Sequence, residues 1–248
     1  MSKVLVFCEF QNGEPKKGGL ELLTLAKSSG NEVVALCLGE GAKAVAEKLG
    51  HYGASKVLVS ESGDLSTYNS ERYAEVVSTA VKAEAAPVVL ASASMLAKDL
   101  FPRVGAKLDS GVANDCTEIQ LSGDSLSVRK PLYAGKCTAQ VNFQNSAHKI
   151  VLMRANQLPV GEPDSSASAT VEDINVESSD LKTKVKEVVK GASEKLDLTE
   201  ANVIVSGGRG MRDPEGYKIL EPLAETLGAT LGASRAIVDA EWVPHSYQ

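Results

Sequence analysis

The chain has 248 residues, with 32 acidic against 26 basic side chains and a formal net charge of −6. Hydrophobic residues make up 43% and charged residues 23%, close to the globular average, which excludes wholesale disorder and fibrous repeats. The acidic balance argues against nucleic acid as a partner, and no apolar run approaches the roughly 18 residues of a membrane span, so no direct membrane insertion is expected.

The opening MSKVLVFCEF passes from one lysine directly into a β-rich run without a long apolar leader, so a cytoplasmic chain is expected. Short β-branched runs then alternate with helical patterns: strand Lys3–Phe7, helix Leu20–Lys27, strand Glu32–Leu38, helix Ala42–Leu49, strand Lys56–Val59, helix Glu71–Ala83 and strand Pro87–Ala91. Strands separated by helix-length crossovers read as parallel βαβ units. Ser2–Val6 and Ser55–Val59 are both SKVLV, which suggests two equivalent buried strands.

After Asp109 the pattern becomes hairpin-like: Cys116–Leu121, a turn at Ser122–Ser125, then Leu126–Tyr133, Lys136–Phe143 and Lys149–Arg154. Short polar turns between strands predict an antiparallel extension of the parallel sheet. Gln157–Ser168, with Pro159 and Pro163, reads as a surface connection near a domain boundary. Lysines at alternate positions in 182–188 suit a charge-protected strand edge, with a solvated helix face as the alternative. The last unit offers a strand at Asn202–Val205, the loop Ser206-Gly207-Gly208-Arg209-Gly210, a helix over Pro214–Leu227 and a strand at Ala229–Leu231. Two strands and a helix are too little to close a core, so this unit is expected to be incomplete, with further chain after Gln248.

Two loops could carry chemistry. Gly39–Ala44 fits a loose G-x-G-x-x-A between strand and helix, with Glu61 twenty residues after Gly41, which imitates a dinucleotide fingerprint; a plain strand-to-helix turn is the preferred reading, because glycines are common there for conformational reasons alone. Ser206–Gly210 is more specific: backbone N–H groups freed by glycines, a hydroxyl and Arg209 together suit a phosphate cradle, with a tight glycine turn bearing a solvent-exposed arginine as the alternative. Ser234-Arg235 repeats the pattern after the next strand, although a surface salt bridge is a competing role for Arg235. The cysteines Cys8, Cys37, Cys116 and Cys137 are widely spaced and read as reduced packing residues. The histidines His51, His148 and His245 have no partner at metal-ligand spacing, and Trp242 has three equally open roles.

SGGRG followed by a helix, GASRA-x-VDA-x-WVPHSYQ, and the upstream D-C-TE and KPLYAGK together resemble the α subunit of electron transfer flavoprotein, over nearly the whole chain. The resemblance implies an α/β chain with an N-terminal parallel-sheet domain, residues 1–190, packing on a β subunit, and an incomplete Rossmann-like FAD-binding domain, residues 191–248. It implies one FAD here and an AMP on the β subunit. Electrons would come from acyl-CoA or related dehydrogenases, as in fatty acid β-oxidation, and pass singly to a quinone oxidoreductase or similar acceptor, without substrate turnover by the chain itself. It also implies that the first domain binds no nucleotide, which makes Gly39–Ala44 a structural turn.

By the same resemblance Arg209 lies near the FAD phosphate and ribose, Ser234 contacts the flavin, Arg235 lies over the isoalloxazine, and Gln248 borders the ring. A guanidinium about 4 Å from charge building on the flavin contributes on the order of 4 kcal/mol at an effective dielectric near 20, which raises the potential. The family pattern continues past Gln248, so weak FAD retention is expected of 248 residues alone. A nicotinamide-dependent enzyme using Gly39–Ala44 and a nucleotide-binding or scaffolding subunit without redox activity are the competing readings.

Overall fold

The computed structural model describes residues 2–123, 125–177, 180–188, 198 and 201–248. They form two compact units, Met1–Lys186 and Glu187–Gln248. The expected division at 190/191 lies outside the described residues.

In the first unit β1 (Lys3–Phe7) is followed by a small hairpin, β2 (Phe10–Gln11) and β3 (Glu14–Pro15), and then by α1 (Lys17–Ser28), β4 (Glu32–Leu38), α2 (Ala42–His51), β5 (Lys56–Ser60), α3 (Ser70–Ala83), β6 (Val88–Ser92) and α4 (Met95–Lys107). β7 (Val112–Cys116), β8 (Glu118–Ser122), β9 (Ser125–Leu132), β10 (Cys137–Asn142), β11 (Lys149–Met153) and β12 (Thr170–Asp173) complete it. Seven strands form one sheet in the order β12-β5-β4-β1-β6-β11-β7, and every neighbouring pair is parallel. β8, β9 and β10 form a separate antiparallel sheet. The α/β class with an antiparallel addition is therefore as expected.

A strand covered on both faces needs a continuous apolar run, which is why β4 reads EVVALCL and is buried at every residue after Glu32. Alternation divides β1 between two cores. Val4 and Val6 pack with Leu22, Leu23, Val45 and Leu49 of α1 and α2. Leu5 and Phe7 pack with Val76, Val77, Leu100 and Phe101 of α3 and α4. Fully burying side chains such as Leu100 and Phe101 stabilises the fold by about 1.5–3 kcal/mol each.

The two SKVLV strands flank β4, with Lys3 opposite Glu32 and Lys56 opposite Val34. Their lysines converge on one carboxylate at the end of α3: Lys3 Nζ lies 2.8 Å from Glu84 Oε2 and Lys56 Nζ 3.1 Å from Glu84 Oε1. Burial raises the Glu84 carboxyl, but hydrogen bonds from both lysines outweigh it and hold it below its ordinary value.

Several expectations are corrected. Lys149–Arg154 was assigned to the antiparallel set, yet β11 lies between β6 and β7 in the parallel sheet. Its buried pattern needs cover on both faces, which only the large sheet supplies. The single strand expected at Cys116–Leu121 is divided, because Asp115 takes φ +60° and the chain leaves one sheet for the other between β7 and β8. α4 escapes sequence reading because Pro102 sits inside it.

The connection at 157–168 belongs to the first unit. Asn156 N–H donates to Glu21 Oε1 at 3.1 Å, Gly161 N–H to Thr24 Oγ1 at 3.1 Å and Asp164 N–H to the His51 carbonyl at 2.9 Å. It thereby crosses α1 and α2 and delivers β12 to the far edge of the sheet. Residues 182–188 form neither the expected strand edge nor a helix. Side chains at the start of α3 bind the backbone there instead: Asn69 Nδ2 donates to the Thr183 carbonyl, and Lys182 N–H donates to Glu71 Oε2.

In the second unit β13 (Ile204–Gly207) leads through a 3-10 turn at Arg209–Met211 to α5 (Pro214–Tyr217), α6 (Leu220–Leu227), β14 (Thr230–Ala233), the short α7 (Arg235–Val238) and a 3-10 turn at His245–Tyr247. β13 and β14 pair in parallel. The one helix expected over Pro214–Leu227 is broken after Tyr217. Pro222 cannot donate to the carbonyl four residues back, at Lys218, and its ring crowds that carbonyl, so a new helix starts with proline in its first turn.

Replacement of Glu84 by Gln is expected to lower stability at neutral pH by about 1–2 kcal/mol. The native carboxyl titrates below its unfolded value, so its contribution is full above about pH 4.3 and is lost as pH falls through the native value. Urea unfolding as a function of pH should accordingly show a shallower acid loss in Glu84→Gln than in the parent.

Candidate functional site

Parallel strands place their carboxyl ends on one side of a sheet, and β13 and β14 do so in register, with Gly207 opposite Ala233. The pairing extends one residue further, where Ser234 N–H donates to the Gly207 carbonyl at 2.9 Å. The first loop must then pass close to the second. A Cβ on Gly208 would lie 3.0 Å from Ser234 Oγ, and one on Gly207 would lie 2.7 Å from Leu220 Cδ1 and 2.8 Å from the Tyr217 ring. Tyr217 is the pin of this arrangement. Its hydroxyl donates to the Gly232 carbonyl at 2.8 Å, and its ring meets Tyr247 edge-on at 6.4 Å. Burial raises its hydroxyl pKa.

The four residues singled out in the sequence are all exposed. Arg209 opens the 3-10 turn after β13. Ser234 precedes the first turn of α7, and its carbonyl accepts from Ile237 N–H at 3.1 Å. Arg235 Nε donates to Asp239 Oδ2 at 3.2 Å, one helical turn on. Gln248 N–H donates to the His245 carbonyl at 3.2 Å, one residue beyond the Tyr247 contact. The structure thus brings the Gly207–Arg209 and Ser234–Arg235 loops together, while Gln248 belongs to the tail that Tyr217 carries.

Sequence reading missed Asp239, whose spacing of four from Arg235 was the available signal, and Arg212, a second cation in the first loop beside Arg209. Arg212 holds φ +74°, a left-handed conformation that a side-chain-bearing residue rarely takes. The resulting concentration of guanidinium groups, hydroxyls and strand-end amides suits an anionic ligand. The Arg235–Asp239 pair does not oppose this: an exposed i,i+4 pair contributes only about 0.3–0.5 kcal/mol, and a better anion can replace it.

The first unit treats the equivalent positions differently. Lys43 N–H, in the first turn of α2, donates to Glu61 Oε1 at 2.9 Å, so the acid that imitated a ribose ligand sits where a phosphate would lie. Gly39–Ala44 also follows β4, whereas the strand order reverses between β1 and β6. At that reversal Ser94 Oγ donates to Glu9 Oε1, and Lys16 Nζ lies 3.9 Å from Glu9 Oε2, so a carboxylate again holds the place of an anion.

Of the cysteines, Cys8, Cys37 and Cys116 are buried as expected, but Cys137 is exposed at the start of β10, beyond Ala139 and Val141 on the same face of the strand. Burial raises the Cys37 thiol to about 12 and that of Cys116 to about 11. The His51 carbonyl receives the connecting strap, His148 Nδ1 lies 2.8 Å from the Ala86 carbonyl, and His245 is exposed. Trp242 is half-buried, and its backbone N–H donates to the Ile237 carbonyl at 3.0 Å. Among the described residues no helix is long and apolar enough to cross a membrane.

Residues 4–179 match the family model described as the electron transfer flavoprotein domain, and residues 197–248 match that of the electron transfer flavoprotein FAD-binding domain. The chain is 34% identical over 248 residues to the electron transfer flavoprotein subunit alpha of Bacillus subtilis, covering 99% of this chain and 76% of that protein. It is 32% identical to the corresponding subunit of Syntrophomonas wolfei, covering 100% of this chain and 78% of that one. It is 29% identical to the acryloyl-CoA reductase electron transfer subunit beta of Anaerotignum propionicum, covering 99% and 76%.

Because a Cβ at Gly207 has no room beside Leu220 and Tyr217, Gly207→Ala is expected to cost about 1–3 kcal/mol. Hydrogen exchange should show the loss at the amides of β13 and β14, with the amides of β1 and β4 unchanged.

Proposed function

This chain belongs to the electron transfer flavoproteins as an α subunit, an electron carrier and not a substrate-converting enzyme, and we propose that its second unit holds FAD across the tips of β13 and β14. The observation that supports this reading is the close joining of two cation-bearing loops, Ser234 N–H on the Gly207 carbonyl with Gly208 against Ser234. The donor set fits the group: backbone amides, a hydroxyl and guanidinium side chains match a pyrophosphate and a ring that becomes anionic on reduction. FAD when bound supplies the one-electron chemistry.

In this reading Arg209 binds the phosphate end, Ser234 orients the ligand from the start of α7, and Arg235 exchanges Asp239 for the ring edge and stabilises negative charge there. Gln248 borders the ring. The first unit binds no nucleotide, consistent with Glu61 and Glu9 in the anion positions, and contributes instead to association with a β subunit that carries AMP. Acyl-CoA or related dehydrogenases are the donors, a reading supported by the acryloyl-CoA reductase relative, and a quinone oxidoreductase or similar acceptor receives the electrons. Cytoplasmic placement and service to β-oxidation belong to the same proposal.

The test is flavin content and potential of the purified two-subunit protein. Absorbance bands near roughly 375 and 450 nm are expected from bound flavin. Arg209→Glu should weaken FAD binding by about tenfold or more. Arg235→Ala should retain FAD but lower its potential by about 60 mV, a tenfold change in a one-electron equilibrium. A folded, FAD-loaded Arg235→Ala protein with unchanged potential would overturn that role, and nicotinamide-dependent turnover without flavin would overturn the proposal as a whole.

A further inference from the structure

The antiparallel sheet of the first unit is anchored at one end and projects at the other. Leu126 and Val128 of β9 are buried, and Val141 and Phe143 pack against the same core. Toward the β9–β10 turn this burial disappears: Leu132 is 37% and Tyr133 80% exposed. The turn itself is unusual, with Tyr133 at φ +51°, Ala134 at +56° and Gly135 at +84°. Two consecutive side-chain-bearing residues in the left-handed region cost on the order of 1–3 kcal/mol each, yet internal hydrogen bonds hold the turn, from Gly135 N–H to the Leu132 carbonyl and from Lys136 N–H to the Tyr133 carbonyl. An exposed aromatic is thus displayed on a strained but fixed support.

Its surroundings carry two further signs of a covered surface. Lys130 and Lys136 bracket the tip, and neither has an ion pair among the described residues, although the chain as a whole carries −6. β10, Cys-Thr-Ala-Gln-Val-Asn, pairs on one side only among the described residues and contains no charge and no proline. Two other edges of the first unit are blunted: β12 carries Glu172 and Asp173, which pair with Lys56 and Lys43, and β8 begins with Glu118, which pairs with Arg129. An unprotected edge strand is an aggregation hazard unless an assembly covers it.

We infer that the β9–β10 hairpin, with Tyr133 as its apolar anchor and Lys130 and Lys136 at its rim, is the surface that docks the β subunit, into an apolar recess ringed by carboxylates. This rests on the two-subunit reading above and adds which face makes the contact. A preorganised aromatic tip beside an open strand edge suits a lasting partner, because little ordering entropy remains to be lost on binding. Exchanging redox partners instead use small, polar and transient contacts.

The test uses the purified two-subunit protein and follows its dissociation on dilution by sedimentation, read by protein absorbance, so the result does not depend on bound flavin. Tyr133→Ala should raise the dissociation constant by about 30-fold or more, while Tyr133→Phe, with the same ring, should change it less than about threefold. The double variant Lys130→Glu, Lys136→Glu should weaken association and flatten its salt dependence. Cys137, exposed on β10, supplies a readout in the parent protein: maleimide should label it slowly in the complex and rapidly once dilution separates the subunits. Unchanged association of folded Tyr133→Ala, or full-rate labelling of Cys137 in the intact complex, would overturn the inference. So would unchanged association coupled to slower electron transfer from an acyl-CoA dehydrogenase, which would give the hairpin to the redox partner.

Discussion

Parallel pairing governs both units. A parallel neighbour can be reached only by a long crossover, so helices follow β4, β5, β6 and β13, the antiparallel strands separate β7 from β11, and the 157–168 connection separates β11 from β12. The carboxyl ends of each parallel sheet face one way. In the first unit this buries β4, β1 and β6 on both faces and divides β1 residue by residue between two cores. In the second it brings the ends of β13 and β14 together, and the close approach of Gly208 to Ser234 follows from that register. The candidate site is a consequence of strand direction before it is a set of side chains.

The two units use one electrostatic device with opposite outcomes. A helix start after a strand attracts negative charge through its unpaired amides. The first unit fills such places from its own chain: Glu61 on the first turn of α2, and Glu9 on the Ser94 hydroxyl that caps α4. In the second unit α5 is likewise capped from its own chain, Asp213 Oδ1 accepting from Gly216 N–H, but Arg209 and Arg212 lie in the loop before it, and Asp239 pairs with Arg235 only in an exposed and weak contact. Internal carboxylates make the first set of strand ends structural. The second set differs in the cations of its loops, Arg209, Arg212 and Arg235.

Satisfaction of backbone polar groups explains most of what departs from local pattern. The 157–168 connection stays on the first unit because Glu21, Thr24 and the His51 carbonyl accept its amides. Residues 182–188 do not become a strand because Asn69 and Glu71 take the partners that a ladder would need. β10 is the contrasting case, a strand whose outer edge has no partner among the described residues.

Apart from α4, where Pro102 interrupts the pattern, strand and helix identity in the first half was legible in the sequence, since Lys3–Phe7 and Glu32–Leu38 are apolar runs of strand length between turn residues, and such runs fold alike in most surroundings. The loops Ser206–Arg209 and Ser234–Arg235 were legible for the same reason: glycine and serine after a short apolar strand carry their meaning locally. Contacts between residues distant in the chain were not. That β11 enters the parallel sheet, that Lys3 and Lys56 share Glu84, that Glu61 closes the turn it seemed to equip, and that Tyr217 links Gly232 to Tyr247 were decided by the tertiary structure alone. Each depends on which groups must share a small buried volume, and periodicity along one chain carries no information about that.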